Sequence, residues 1–158
     1  TAAALVSIKL TTRTAAAGTC MPIAEAIAAV GWTGSPMRLN TADHHTGGCR
    51  VTILDRDETI WFTVSSAPAA GLIGEGFNHQ RAQRERLGMT ITSLSGIGNR
   101  ALLASQNQQL AANPAVLFEG GSGTTVVEIN GQMVTHAEIE KTIAVIRSAN
   151  ATHRQESM

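Results

Sequence analysis

CRVTILDRDETIWFTVS, residues 49–65, is the stretch from which the fold is read. Cys49 to Leu54 and Thr59 to Ser65 are short runs rich in β-branched and aromatic residues. The charged link Asp55-Arg56-Asp57-Glu58 separates them, which is the pattern of a β-hairpin. In the second run Ile60, Phe62 and Val64 fall on one side and Trp61 and Thr63 on the other, so one face is meant for a core.

On the N-terminal side, residues 31–48 (GWTGSPMRLNTADHHTGG) are dense in Gly, Asn, Ser and Pro and are expected to form a loop. Before it, PIAEAIAAV (22–30) places Ile23, Ala26, Ile27 and Val30 on one helical face. Pro22 suits the first turn and Gly31 stands where a C-terminal cap belongs. Residues 3–14 (AALVSIKLTTRT) alternate, with Val6, Ile8 and Leu10 forming an apolar face, and are expected to be a strand.

On the C-terminal side a polar helix is expected over 75–87, anchored by Phe77 and Leu87. Strands follow at Met89–Leu94, Ala101–Ser105, Ala115–Glu119 and Thr124–Ile129, the last two joined by Gly120-Gly121-Ser122-Gly123 as a hairpin turn. The closing helix has the clearest start: Thr135 and Glu138 form a capping box. Ile139, Ile143 and Ile146 then recur at i, i+4 and i+7. The polar tail 151–158 is expected to fray. The order implies an α+β fold: a twisted antiparallel sheet with the N-terminal and C-terminal helices packed on one face. We expect an N-terminal strand or arm at 1–18, one domain at 19–150 and a tail at 151–158.

The 158 residues support one core, and 43% hydrophobic residues suffice for it. Twelve basic residues balance twelve acidic ones, so charge offers no case for binding nucleic acid or an anionic membrane. No apolar run is long enough to span a bilayer. The start, TAAALVSIKLTTRTAAAG, is broken by Ser7 and Lys9 and does not read as a signal peptide. The expectation is a mature exported protein. The two cysteines, Cys20 and Cys49, lie in no CxxC motif and have no histidines at metal spacing. They read as one structural disulfide, which places the chain outside a reducing compartment.

Three segments carry a resemblance: TCMPIAEAIAAVGW (19–32), GGCRVTIL (47–54) and Leu94-Ser95-Gly96-Ile97-Gly98-Asn99-Arg100-Ala101. Residues 19–150 resemble a group of secreted actinobacterial proteins and lipoproteins of unknown function. Their layout is similar to that of the extracellular sensor domain of a mycobacterial Ser/Thr kinase. Asn99 departs from the aspartate common there, and Cys20 lacks the small-residue box of a lipidated cysteine. The resemblance implies a cell-envelope location and an unidentified ligand, and no chemistry.

Few residues invite a sharper reading. Asp43-His44-His45 matches a phosphoesterase signature, but the further Asp and His ligands upstream are missing, and adjacent residues on an extended loop point apart. Gly71-Leu72-Ile73-Gly74-Glu75-Gly76 lacks the GK[ST] ending of a phosphate loop. Asn150-Ala151-Thr152 matches a glycosylation triplet. Arg81 and Arg84 share a helical face and form a candidate ligand-binding pair, against the simpler account of a solvated helix. Trp32 and Trp61 could make a saccharide-stacking surface, but core anchoring is the expectation. No nucleophile elbow exists.

The expected function is therefore a non-enzymatic extracytoplasmic domain binding a small molecule or envelope component, without cofactor or metal. A groove between the sheet and the Arg81/Arg84 helix is the expected site. Two rivals stand beside it. One is a structural subunit assembling with copies of itself through residues 3–14. The other is a small hydrolase using one of His44, His45, His79 or His136.

Overall fold

A computed structural model describes residues 20–30, 37–45, 48–55, 60–68, 76–105, 113–120, 123–131 and 134–157. The expected strand at 3–14, Gly31 and Trp32 lie outside these residues. The elements are α1 (Cys20–Val30), β1 (Arg38–His45), β2 (Gly48–Leu54), β3 (Ile60–Pro68), α2 (Phe77–Arg86), β4 (Thr90–Leu94), β5 (Arg100–Ser105), β6 (Ala115–Gly120), β7 (Gly123–Gly131) and α3 (His136–Ser157).

The strands form one antiparallel sheet in the order β1-β2-β3-β7-β6-β5-β4. Phe62 lies opposite Ile53 on one side and Ile129 on the other, and Val64 lies opposite Val51 and Val127. These side chains are fully buried. They form the inner face, on which α1 packs against β1, β2, β3 and α3. Ile23 and Ile27 of α1 and Ile139, Ile143 and Ile146 of α3 enter the same cluster. The α+β architecture, with its two terminal helices on one face, thus follows from the apolar periodicities.

Cys20 and Cys49 are bonded, with Cα atoms 6.3 Å apart, within the usual span of a disulfide. The bond joins the first residue of α1 to β2, and both residues are buried in the cluster between helix and sheet.

The hairpin β4–β5 turns through residues 95–99. Ile97 of this turn is buried in the inner core. Gly96 and Gly98 take positive φ values of 80° and 57° there. The Asn99 amide donates to the Glu119 carbonyl at 2.7 Å, and Arg147 Nε of α3 donates to the Ser95 carbonyl at 3.0 Å. The Gly-Ile-Gly-Asn segment is accounted for as a plug tied to β6 and to α3.

Two expectations are corrected. Residues 31–48 contain a strand, β1, where a loop was expected: Arg38–His45 pairs along β2, with a register shift between Leu39 and Thr41. An edge strand needs only one neighbour for its ladder, and polar side chains suit it there. The tail expected to fray from 151 continues α3 to Ser157.

Candidate functional site

The face of the sheet opposite α1 and α3 carries α2. This helix packs chiefly on β6 and β4. Phe77 and Met89 meet Leu102, Ala104, Ala115, Leu117 and Val126 in a second, smaller core. Its end is well built. Leu87 is the C-cap and Gly88 follows with φ 79°. The amides of Gly88 and Met89 return to the carbonyls of Glu85 and Arg84, at 2.9 and 3.1 Å. This is the paired bonding of a Schellman motif, which absorbs carbonyls that the helix would leave bare.

Its start is held by Arg100 of β5. The guanidinium lies 4.2 Å from the centre of the Phe77 ring, donates to Asn78 Oδ1 at 3.1 Å and pairs with Glu119 at 2.8 Å. Leu87, expected as the second apolar anchor, is exposed. The second inward residue of α2 is an arginine.

Arg81 and Arg84 differ in burial and in partner. The Arg84 side chain is 11% exposed and lies against the sheet, donating to Gln80 Oε1 at 2.7 Å and to Glu128 Oε2 of β7 at 3.4 Å. Burial pushes its guanidinium below the ordinary value, and the charge of Glu128 works the other way. Arg81 is 49% exposed and pairs with Glu85 one turn on, at 3.2 Å. One arginine thus fastens the helix, and the other belongs to a solvated surface pair.

Beside α2 the outward face of β2 and β3 is partly open. Leu54, Thr52, Thr63 and Ser65 are half-buried, and Trp61 is 37% exposed. The expectation that Trp61 anchors the core is therefore corrected. Strand alternation decides it: Ile60 and Phe62 point into the core, so the residue between them points away. Trp61 lies opposite Leu54 on β2 and Asn130 on β7. Asn130 is itself fixed, accepting from Asn113 Nδ2 at 2.7 Å and donating to the Trp61 carbonyl at 3.4 Å. Thr63 lies opposite Thr52 and Glu128, and Ser65 opposite Arg50.

This face brings together an aromatic, hydroxyls and the Arg84–Glu128 pair. Thr63, Glu128 and Asn130 were not singled out in the sequence. The signal for Thr63 was the same alternation that turns Trp61 outward. Glu128 and Asn130 depend on which strand pairs with β3, and no local pattern reveals that.

The four histidines considered for hydrolysis lie on three elements, β1, α2 and α3. His136 pairs with Glu140 at 3.5 Å on the exposed side of α3. Among the described residues no three of His, Cys, Asp and Glu converge as a metal site requires, and no helix is long and apolar enough to cross a membrane. Comparison with protein families, curated proteins and solved structures returned no match to this chain.

Proposed function

We propose that the chain is a non-enzymatic binding domain that works outside the cytoplasm, and that it binds through the outward face of β2 and β3 beside α2. The compartment is inferred from the disulfide, since such bonds persist where thiols are not kept reduced. The binding role is supported by one observation above the rest: α2 packs on the β4–β6 side of its sheet face, and the β2–β3 side carries an exposed tryptophan among hydroxyl side chains. A large aromatic left at a surface among polar groups is a frequent mark of a recognition surface.

The test uses the purified full chain as bait for the envelope fraction of its native host, with bound small molecules and components identified by mass spectrometry. A component enriched by the wild type should be lost with Thr63→Arg, which fills the face with a long cation. It should be retained with Arg81→Gln, on the solvated side of α2. Equal recovery by both variants would remove the face from consideration.

The assembly reading has its own support. Among the described residues the sheet ends at β1 and β4. β4 (TITSL) carries no charge and no proline, the devices that discourage strand addition. Residues 3–14 have the alternation of a donor strand. A chain lacking residues 1–14 that stays folded with an unchanged oligomeric state would end this reading.

A further inference from the structure

We infer that the occupant of the β2–β3 face is an uncharged saccharide, with the Trp61 indole as its stacking platform; this rests on the binding reading above. Charge narrows the choice first. Glu128 is answered by Arg84 at 3.4 Å. The cross-strand neighbours of Trp61 are Leu54 and Asn130, and the next residue along its face is Thr63. The positions that immediately surround the indole therefore carry no charge of their own with which to select a phosphate, a carboxylate or a cationic peptide.

What remains beside Trp61 is apolar area next to hydroxyls. Leu54 lies opposite it across the ladder, at the roughly 5 Å typical of cross-strand neighbours. Thr63 follows two residues on along the same face, roughly 7 Å away by strand geometry. Thr52 lies opposite Thr63. A pyranose has the matching chemistry. The axial C–H bonds of one ring face form an apolar plate that covers an indole, while its rim of hydroxyls both donates and accepts hydrogen bonds. Threonine hydroxyls do the same, so either partner can supply the proton. A purely apolar ligand would strip water from Thr52 and Thr63 without replacing their hydrogen bonds, which carries a penalty.

The ladder also fixes the platform. Trp61 lies between Leu54 and Asn130 on neighbouring strands, and its carbonyl accepts from the Asn130 amide. A backbone held on both sides loses little further freedom when a ligand arrives.

The experiment is a nitrogen–proton NMR titration of the full chain. The two tryptophans give two indole N–H resonances, and Trp61→Phe identifies which belongs to Trp61. Cellohexaose, maltohexaose, mannohexaose and chitohexaose are the probes, with hexagalacturonate as the charged comparison. At least one neutral hexasaccharide should shift the Trp61 resonance, saturating at a dissociation constant on the order of 1 mM. Trp61→Thr should abolish binding, and Trp61→Phe should weaken it several-fold. A Trp61 resonance unmoved by every neutral probe, or moved more readily by hexagalacturonate, overturns the saccharide assignment. If the saccharides fail while envelope capture still depends on Thr63, the face binds a ligand of another class, such as a protein, and only this inference falls. If neither readout depends on the face, both readings fall together.

Discussion

Arg84 on α2 and Glu128 on β7 meet at 3.4 Å, 44 positions apart in the chain, and the two ends differ in burial: 11% of the arginine side chain is exposed against 41% of the glutamate. The pair ties a polar helix to the strand that borders the open face. Its loss falls on the buried partner. Glu128→Gln should lower stability by about 1 kcal/mol, because a buried guanidinium loses a charged acceptor. Arg81→Gln, which breaks an exposed pair, should stay within about 0.5 kcal/mol. Arg84→Met combined with Glu128→Gln should cost less than the two single changes added together. Urea midpoints measure all four proteins.

The disulfide closes a span of 29 residues between the start of α1 and β2. Replacing both cysteines by serine should remove about 3–4 kcal/mol in the chain-entropy account. The same shift should appear on reducing the wild type. A urea midpoint indifferent to reductant would show that the bond does not form in the native protein.

Gly98 is held in the left-handed region at φ 57°, and a Cβ there would run into the Glu119 carbonyl. That carbonyl already accepts from the Asn99 amide and cannot retreat without losing the bond. Gly98→Ala should therefore destabilise by about 1–3 kcal/mol. Gly120→Ala, where a Cβ meets nothing within 4 Å, should change stability by less than about 0.5 kcal/mol. Thermal melts of the two variants separate a backbone requirement from a generic effect of losing glycine.

Thr135 caps α3 in both directions. Its amide donates to Glu138 Oε1 at 2.8 Å, and its hydroxyl accepts from the Glu138 amide at 3.2 Å. Thr135→Ala should cost about 1 kcal/mol, and Thr135→Ser should recover most of it. Because α3 packs on α1, amide exchange should quicken in both helices of the alanine variant.

The parts legible in the sequence were those with a strong period or a local chemical signature. The β2–β3 hairpin and the capping box of α3 were read from adjacent residues, and both are present. Of the expected α1 face, Ile23 and Ile27 are buried, whereas Val30 is exposed and Ala24 and Ala28 enter the core instead. β1 was not legible because Arg38–His45 shows no alternation: its place at the rim asks for ladder bonds more than for apolar side chains. For α2 its presence was legible but its placement was not. Ten polar-rich residues say nothing of which sheet face they cover, and the inward residue proved to be Arg84 rather than Leu87. At the candidate site, Trp61 was noticed as a residue type and assigned to the core on frequency. Its alternation with Ile60 and Phe62 pointed outward all along. Asn130 and Glu128 joined it only through the β3–β7 pairing, a contact between strands more than sixty positions apart.

That pairing also divides the molecule. β1 to β3 form one run of successive hairpins, and β4 to β7 form another. Within the sheet, among the described residues, the antiparallel ladder from Ile60–Gly131 to Pro68–Gly123 zips the two runs together. Each run presents to the other a strand edge backed by the same kind of apolar side chains, Phe62 and Val64 against Ile129 and Val127. A molecule built this way has a natural line of fragment exchange. A fragment that ends at Pro68 and one that begins at Gly76 carry matching halves of one zipper, so mixing them should re-form the sheet along this seam.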